Sequence, residues 1–259
     1  MIDLCKIAGV KLSLTDDGQL HFGEPMSDIV ESVRQVDSLA AVWRDPTVQG
    51  STDIYRVYWG ARRAVDQVIF DQHGLDHAYV VLLPGIYNGE YNKTQGHYHP
   101  PVTGTNASTP ELYKVLHGRG RFLLQHSSPP FAQIDDIVLL DVGPGDVFHV
   151  APNYGHLTIN PGNEPLVFEA FLSTNLTPVT EPYRSRRGGT HYLIEEGGTP
   201  AVIRNERYAD LPNLRQISSV DLTLWEAQWG ALLYPWFVHH AESFHFLADP
   251  SQFDPAWTV

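Results

Sequence analysis

The sequence predicts an all-β fold, a β-sandwich or β-barrel with a few peripheral helices. Gly (21) and Pro (19) are abundant and long helical periodicities are few, so the chain turns often. Short apolar runs recur between those turns from residue 53 to residue 172. Apolar residues make up 42% of the 259, enough for one sizeable core.

Taken in order, Val10–Leu14 and Gln19–Phe22 flank Asp17-Gly18, a hairpin signal. Residues 26–47 carry Ile29, Val33 and Val36 at roughly helical spacing, which predicts one helix there. Strands are then expected at Ile54–Trp59, which alternates in part, and at Ala78–Leu83, which ends at Pro84-Gly85. Leu112–Leu116 and Phe122–Gln125 surround Gly118-Arg119-Gly120. Ile137–Val142 runs into Gly143-Pro144-Gly145-Asp146, and Val147–Val150 ends before Pro152. Leu166–Leu172 follows the turn Asn160-Pro161-Gly162-Asn163. Asp221 reads as the N-cap of a helix in an aromatic tail. The expected organisation is an N-terminal extension of hairpin and helix (1–50), a barrel (51–211) and a C-terminal appendage (212–259) packed on the barrel or on a partner subunit.

The formal charge of −13 argues against nucleic acid or an anionic membrane as partner. An anionic substrate must therefore be held by a local site. Cys5 is alone, so no internal disulfide forms. The start MIDLCKIAGVKLSL lacks a basic head, a long apolar run and a small-residue cleavage site, and no stretch approaches membrane-spanning length. A cytoplasmic location is the expectation.

The chemistry concentrates in His97-Tyr98-His99, Glu111 and His156. Alternate residues of a strand share a face, so the rings of His97 and His99 can aim at one point. Three imidazoles and a carboxylate make one divalent metal site, since neutral imidazole suits Zn, Fe, Ni or Cu and a carboxylate adds a hard oxygen. On an octahedral ion two positions stay open, and a hydroxyl beside a carbonyl fits them as a chelate. Glu111 is the nearest candidate to move a proton between the two carbons, as ligand, as base or as both. A hydride shift is the competing route. Tyr113, two residues on, faces the same interior with a hydroxyl for a substrate oxygen. Thr94 and Gly96 offer hydroxyl and backbone donors that suit phosphate oxygens. His117, His126 and His149 read as satisfied or surface groups, and so do His239, His240 and His245 of the tail. Arg184, Arg186 and Arg187 form a basic cluster, either a solvated loop or an anion grip at the barrel mouth.

These residues resemble the cupin superfamily. Its first motif is matched by His97-Tyr98-His99, Glu111 and Gly118; its second by Pro144-Gly145-Asp146, Pro152, Gly155-His156 and Asn160. Within it, Thr94–His99, Glu111-Leu112-Tyr113, Pro152–Asn160 and Asn163–Phe168 are similar to cupin-type glucose-6-phosphate isomerase. The likeness covers roughly residues 50–208, from Tyr55–Tyr58 and Leu82–Gly85 to Tyr192–Gly198. It implies a cupin (jelly-roll) β-barrel, a homodimer and a sugar phosphate as substrate. It also implies one divalent transition metal per subunit (Fe, Mn, Zn or Ni) on His97, His99, Glu111 and His156. By the same likeness Thr94, Gly96, Tyr113 and Tyr55 hold the substrate, chiefly its phosphate, and Tyr183 is an active-site tyrosine.

Departures bear on the substrate. Eleven residues separate His99 from Glu111, longer than the family usually has, and this loop is expected at the barrel mouth. Val80 stands where a threonine is expected and Gln95 where a lysine is. Thr180–Ser185 replaces a segment that carries a His and an Asp. The expected activity is metal-dependent interconversion of glucose 6-phosphate and fructose 6-phosphate. The alternatives are an isomerase or epimerase of another sugar, an Fe(II) dioxygenase, and a non-catalytic sugar-binding cupin.

Overall fold

A computed structural model describes residues 1–218 and 232–254; the helix expected from Asp221 lies outside the described residues. The N-terminal hairpin forms where Asp17-Gly18 predicts it. β1 (Ile2–Asp3), β2 (Leu12–Leu14) and β3 (Leu20–Phe22) make a small sheet, with Leu12 opposite Phe22 and Leu14 opposite Leu20.

The helix expected over 26–47 is not there. β4 (Val30–Gln35) occupies its centre, followed by a 3-10 turn at Val36–Leu39. The reason is a partner. β4 pairs antiparallel with β5 (Asp53–Trp59), Arg34 standing opposite Tyr55. Cross-strand hydrogen bonds and side-chain pairs outweigh a weak helical period.

The strands expected from residue 75 onward all form. They are β6 (Leu75–Leu82), β9 (Glu111–His117), β10 (Gly120–His126), β11 (Asp136–Val142), β12 (Val147–Val150) and β14 (Leu166–Ser173), with β13 (Tyr154–Ile159) carrying His156. The remainder are β7 (Ile86–Tyr87), β8 (Glu90–Tyr91), β15 (His191–Glu196), β16 (Thr199–Arg204) and β17 (Leu214–Ile217).

Two of the sheets build the fold. One has six strands in the order β12-β9-β14-β6-β5-β4; the other has four, β13-β10-β11-β17. They pack face to face in a jelly-roll arrangement, as the ring contacts between them show. Phe122 of the smaller sheet lies 5.2 Å from Tyr113, 4.7 Å from Phe148 and 5.4 Å from Phe168 of the larger. Among the described residues no ladder runs from one sheet into the other, so the barrel is not closed by hydrogen bonds. The two sheets reach beyond residues 51–211, to β4 at one end and β17 at the other.

Every residue of β14 is buried, as is nearly all of β6 and β9. Such unbroken burial means that both faces of the six-stranded sheet are covered. The inner face looks toward the second sheet. The outer face is roofed by the chain's two ends. Lys114 donates to the Ile7 carbonyl at 2.6 Å, and Phe22 packs on Tyr58 and Tyr79. From the tail, helix Leu233–His239 sets Phe237 4.4 Å from Phe70 and 5.5 Å from Phe171. His149 of β12 lies under Phe246, and burial holds its imidazole down at about 3, so it stays neutral near pH 7.

One polar pair is sealed under that roof. His77 donates from Nδ1 to the Ala61 carbonyl at 2.7 Å and faces Glu169 from Nε2 at 3.0 Å, both side chains fully buried. A carbonyl only accepts, so Nδ1 keeps its proton. The second contact then needs one more proton, shared between Nε2 and the carboxylate. Replacing His77 alone would strand Glu169 in an apolar layer. His77→Leu is expected to cost about 3–5 kcal/mol of stability. The double variant His77→Leu, Glu169→Met is expected to recover most of it, both read from urea denaturation midpoints.

Candidate functional site

The segment before β9 runs beside β13. His97 N–H donates to the His156 carbonyl at 3.1 Å, and His156 N–H returns a bond to His97 at 3.0 Å. This two-way pairing sets the residues directly opposite one another, and their rings stand 4.4 Å apart. Alternation along the segment brings His99 to the same side. Glu111, the first residue of β9, reaches in from the facing sheet. The ligating atoms of His97, His99, Glu111 and His156 all lie within 4.8 Å of one another.

The donor set fits a metal ion on grounds of hydrogen bonding. His99 donates from Nδ1 to the Thr109 carbonyl at 2.7 Å, so its Nε2 is the nitrogen with the lone pair. That Nε2 stands 3.0 Å from Oε2 of Glu111, and His156 Nε2 stands 3.4 Å from the same oxygen. Neither His99 Nε2 nor Glu111 Oε2 has a hydrogen-bond partner. Lone pairs so close in a buried site repel unless a cation, proton or metal, lies among them. The charges point the same way. Burial alone would raise the Glu111 carboxyl, but His156 and His99 outweigh it and hold the group well below the usual carboxylate range. Burial, then the neighbouring His156 and His99, depresses the His97 imidazole well below its ordinary value and keeps it neutral. A neutral imidazole and an ionised carboxylate are the forms that bind metal.

The cluster opens onto a cavity of about 180 Å³. Tyr55, Thr94, Gly96 and Tyr113, singled out from the sequence, all line it with His97, Glu111 and His156. The Tyr113 hydroxyl lies 3.0 Å from His156 Nε2, and burial with the nearby Glu111 charge keeps it firmly protonated. The Thr94 hydroxyl accepts from Thr158 N–H at 2.9 Å, which leaves its own proton for another acceptor. Val80 and Gln95 face the same space, so both departures bear on what the cavity accepts.

Other residues singled out from the sequence lie away from the cavity. Tyr183 is fully buried but does not line the cavity. It packs behind the histidine segment, against Tyr98 and the backbones of Gly96 and Gly155. Tyr98 and Gly155 alternate with the histidines, so their side is the far face of the sheet. Residues 100–110 do not line the cavity either. Reciprocal bonds between Ser108 and Asn153 (3.0 and 2.7 Å) pin this loop down, and Thr109 uses its carbonyl to orient His99. The loop therefore serves the cluster from behind. Lastly, the arginines at 184–187 do not line this cavity. Arg186 donates to the Ala132 and Pro182 carbonyls, Arg187 to that of Ala40, and Arg184 pairs with Glu181 at 4.0 Å.

The glucose-6-phosphate isomerase (GPI) family model matches residues 33–210. The chain belongs to that family. The glucose-6-phosphate isomerase of Thermococcus gammatolerans is 33% identical over 159 residues, 60% of this chain and 73% of that protein. The glucose-6-phosphate isomerase of Pyrococcus furiosus is 30% identical over 169 residues, 64% and 78% of the two chains. Among solved structures, oxalate decarboxylase from Bacillus subtilis overlaps 49% of this chain and 27% of its own at 24% identity. Its TM-score of 0.33 is too slight to argue from. The family match begins inside β4, at residue 33, where the sequence predicts a helix and so gives no sign of Ser32 or Arg34. Both line the cavity. The signal that would have found them is alternation with the Tyr55 strand.

Purified chain is expected to take up about one divalent transition ion. His99→Ala should weaken that binding by more than the roughly 10–100-fold typical of losing an outer partner. Chelator competition with metal analysis checks both.

Proposed function

We propose that this chain interconverts glucose 6-phosphate and fructose 6-phosphate, with His97, His99, Glu111 and His156 holding one divalent ion of Fe, Mn, Zn or Ni. The observation that carries the reading is a three-His, one-Glu cluster, all but His97 buried, opening onto a small cavity with hydroxyl donors at its far end. The name borne by the relatives supports it. When bound, the ion would supply Lewis acidity toward the carbonyl and hydroxyl oxygens at C1 and C2 of the open sugar.

The protein side chains do the rest. Glu111 is held ionised and can take a proton from one carbon and return it to the next, help of the kind that contributes roughly 10²–10⁴-fold. Tyr113 is held protonated and donates to a sugar oxygen. Tyr55, Thr94 and Gly96 bind the phosphate end. The reading extends to a cytoplasmic homodimer. Val30 and Val33 are exposed along the edge strand β4, which supports a second copy there. A single-chain mass in sedimentation would refute the dimer.

Metal-loaded chain is expected to convert fructose 6-phosphate to glucose 6-phosphate in a coupled assay, and chelator to abolish the conversion. Glu111→Gln should lower kcat by at least about 100-fold if Glu111 moves the proton. Turnover in D₂O separates the routes: proton transfer through Glu111 places deuterium at C2, whereas a hydride shift leaves none. Absence of turnover with each of the four metals would overturn the reading.

A further inference from the structure

The cavity has a second polar end, built from the segment that leads into His97 and from β4 and β5. Thr94 N–H pairs with the Thr158 carbonyl at 2.8 Å, and His97 N–H with that of His156. Two residues, Gln95 and Gly96, thus stand beside the one residue, Leu157, that separates their partners on β13. That is a bulge, and Gly96 turns through it at a φ of 80°. The Gln95 backbone N–H reaches the Tyr55 hydroxyl, and so does the Arg34 guanidinium from β4.

Among the described residues Arg34 is the one arginine or lysine that lines this cavity. It projects on the cavity side with Ser32, because β4 alternates and Tyr55 lies opposite. The acids of these two strands are already engaged: Arg56 holds Glu31 at 2.8 Å and Asp53 at 2.6 Å. Among the described residues Arg34 joins no carboxylate in an ion pair. A positive charge thus stands at the mouth of a cavity whose deep end already carries the Glu111 carboxylate, in a chain of net charge −13.

We propose that Arg34 clamps the phosphoryl group of the substrate and makes this site select phosphorylated over unphosphorylated sugars. The inference rests on the isomerase reading above and names the charge that site uses. A phosphoryl group brings close to two negative charges into an acidic protein, and hydroxyl and backbone donors alone leave them uncompensated. A guanidinium matches two phosphoryl oxygens as a fork, with Tyr55 oriented between it and the Gln95 N–H. Its exposed position at the mouth lets the phosphate enter last, after the sugar's carbonyl end has passed inward.

Arg34→Ala and Arg34→Lys test this in the full-length, metal-loaded chain. KM for fructose 6-phosphate should rise about 10- to 100-fold in the alanine variant, as for loss of a charge-assisted hydrogen bond, with kcat much less affected. Lysine should recover part of the loss, since it returns the charge without the fork. Arg121→Ala, which removes a like charge from β10, should leave KM unchanged. Binding of glucitol 6-phosphate, measured by calorimetry, should weaken in parallel and lose most of its salt dependence. Binding of glucitol should not change. Calorimetry also separates the two readings. Should the wild-type chain fail to turn over fructose 6-phosphate, the isomerase reading falls, while the glucitol 6-phosphate comparison still decides on Arg34. A KM and a glucitol 6-phosphate affinity within twofold of wild type in Arg34→Ala would overturn the clamp.

Discussion

The site depends on one strand register. His97 and His156 exchange two backbone hydrogen bonds, and this pairing places three imidazoles on the cavity side. A slip of one residue would send every side chain of the segment to the opposite face. Tyr98 and Gly155 would then point inward and the histidines outward. The register is held from both sides. On the far face Tyr98 stacks on Phe131 and meets Tyr183 with tilted rings, and its hydroxyl accepts from Gln125 at 2.8 Å. Gly155 has no side chain because Tyr98 and Tyr183 fill the place where its Cβ would stand. Tyr183 is part of what fixes the register.

Concentrating four ligating groups in a dry place is costly, and the fold offsets the cost with fixed partners. Thr109 fixes which nitrogen of His99 faces inward. The loop that supplies Thr109 is itself tied to Asn153, which adopts a positive φ of 67° between β12 and β13. The same economy appears elsewhere in the core. Lys93 and Glu90 form a buried ion pair, with the Lys93 ammonium also donating to the Val42 carbonyl at 2.7 Å and lying over Trp43 and Tyr192. Lys93 and Glu90 thus meet the condition under which buried charges are tolerated, a partner with suitable geometry.

The two ends of the chain give the six-stranded sheet its roof. Without them the outer sides of β6, β9 and β14 would expose Tyr79, Phe171 and the His77–Glu169 pair. Gly9 approaches so near to Pro235 that a Cβ there would lie 2.6 Å from its ring. Both ends therefore seal one layer, and the inner face of that layer is the cavity. Folding of the ends and shape of the site are linked through the sheet between them.

Most of the strands and the four ligands were legible in the sequence. A short apolar run bounded by Gly or Pro specifies a strand locally, and His-x-His on a strand specifies a shared face. The hairpin at Asp17-Gly18 was equally local. What could not be read was anything decided by a distant partner. Residues 30–35 are a strand because β5 lies beside them, and only that pairing brings Arg34 to the cavity. Tyr183 packs on the far side of the histidine segment because alternation turns that face away from the cavity, and the 100–110 loop braces His99 because Asn153 happens to reach it. Sequence by itself fixed which groups could do chemistry, since donor type and spacing are local properties of the chain. Tertiary structure decided which of them meet, because pairing across the sheets selects one face of each strand for the cavity and buries the other.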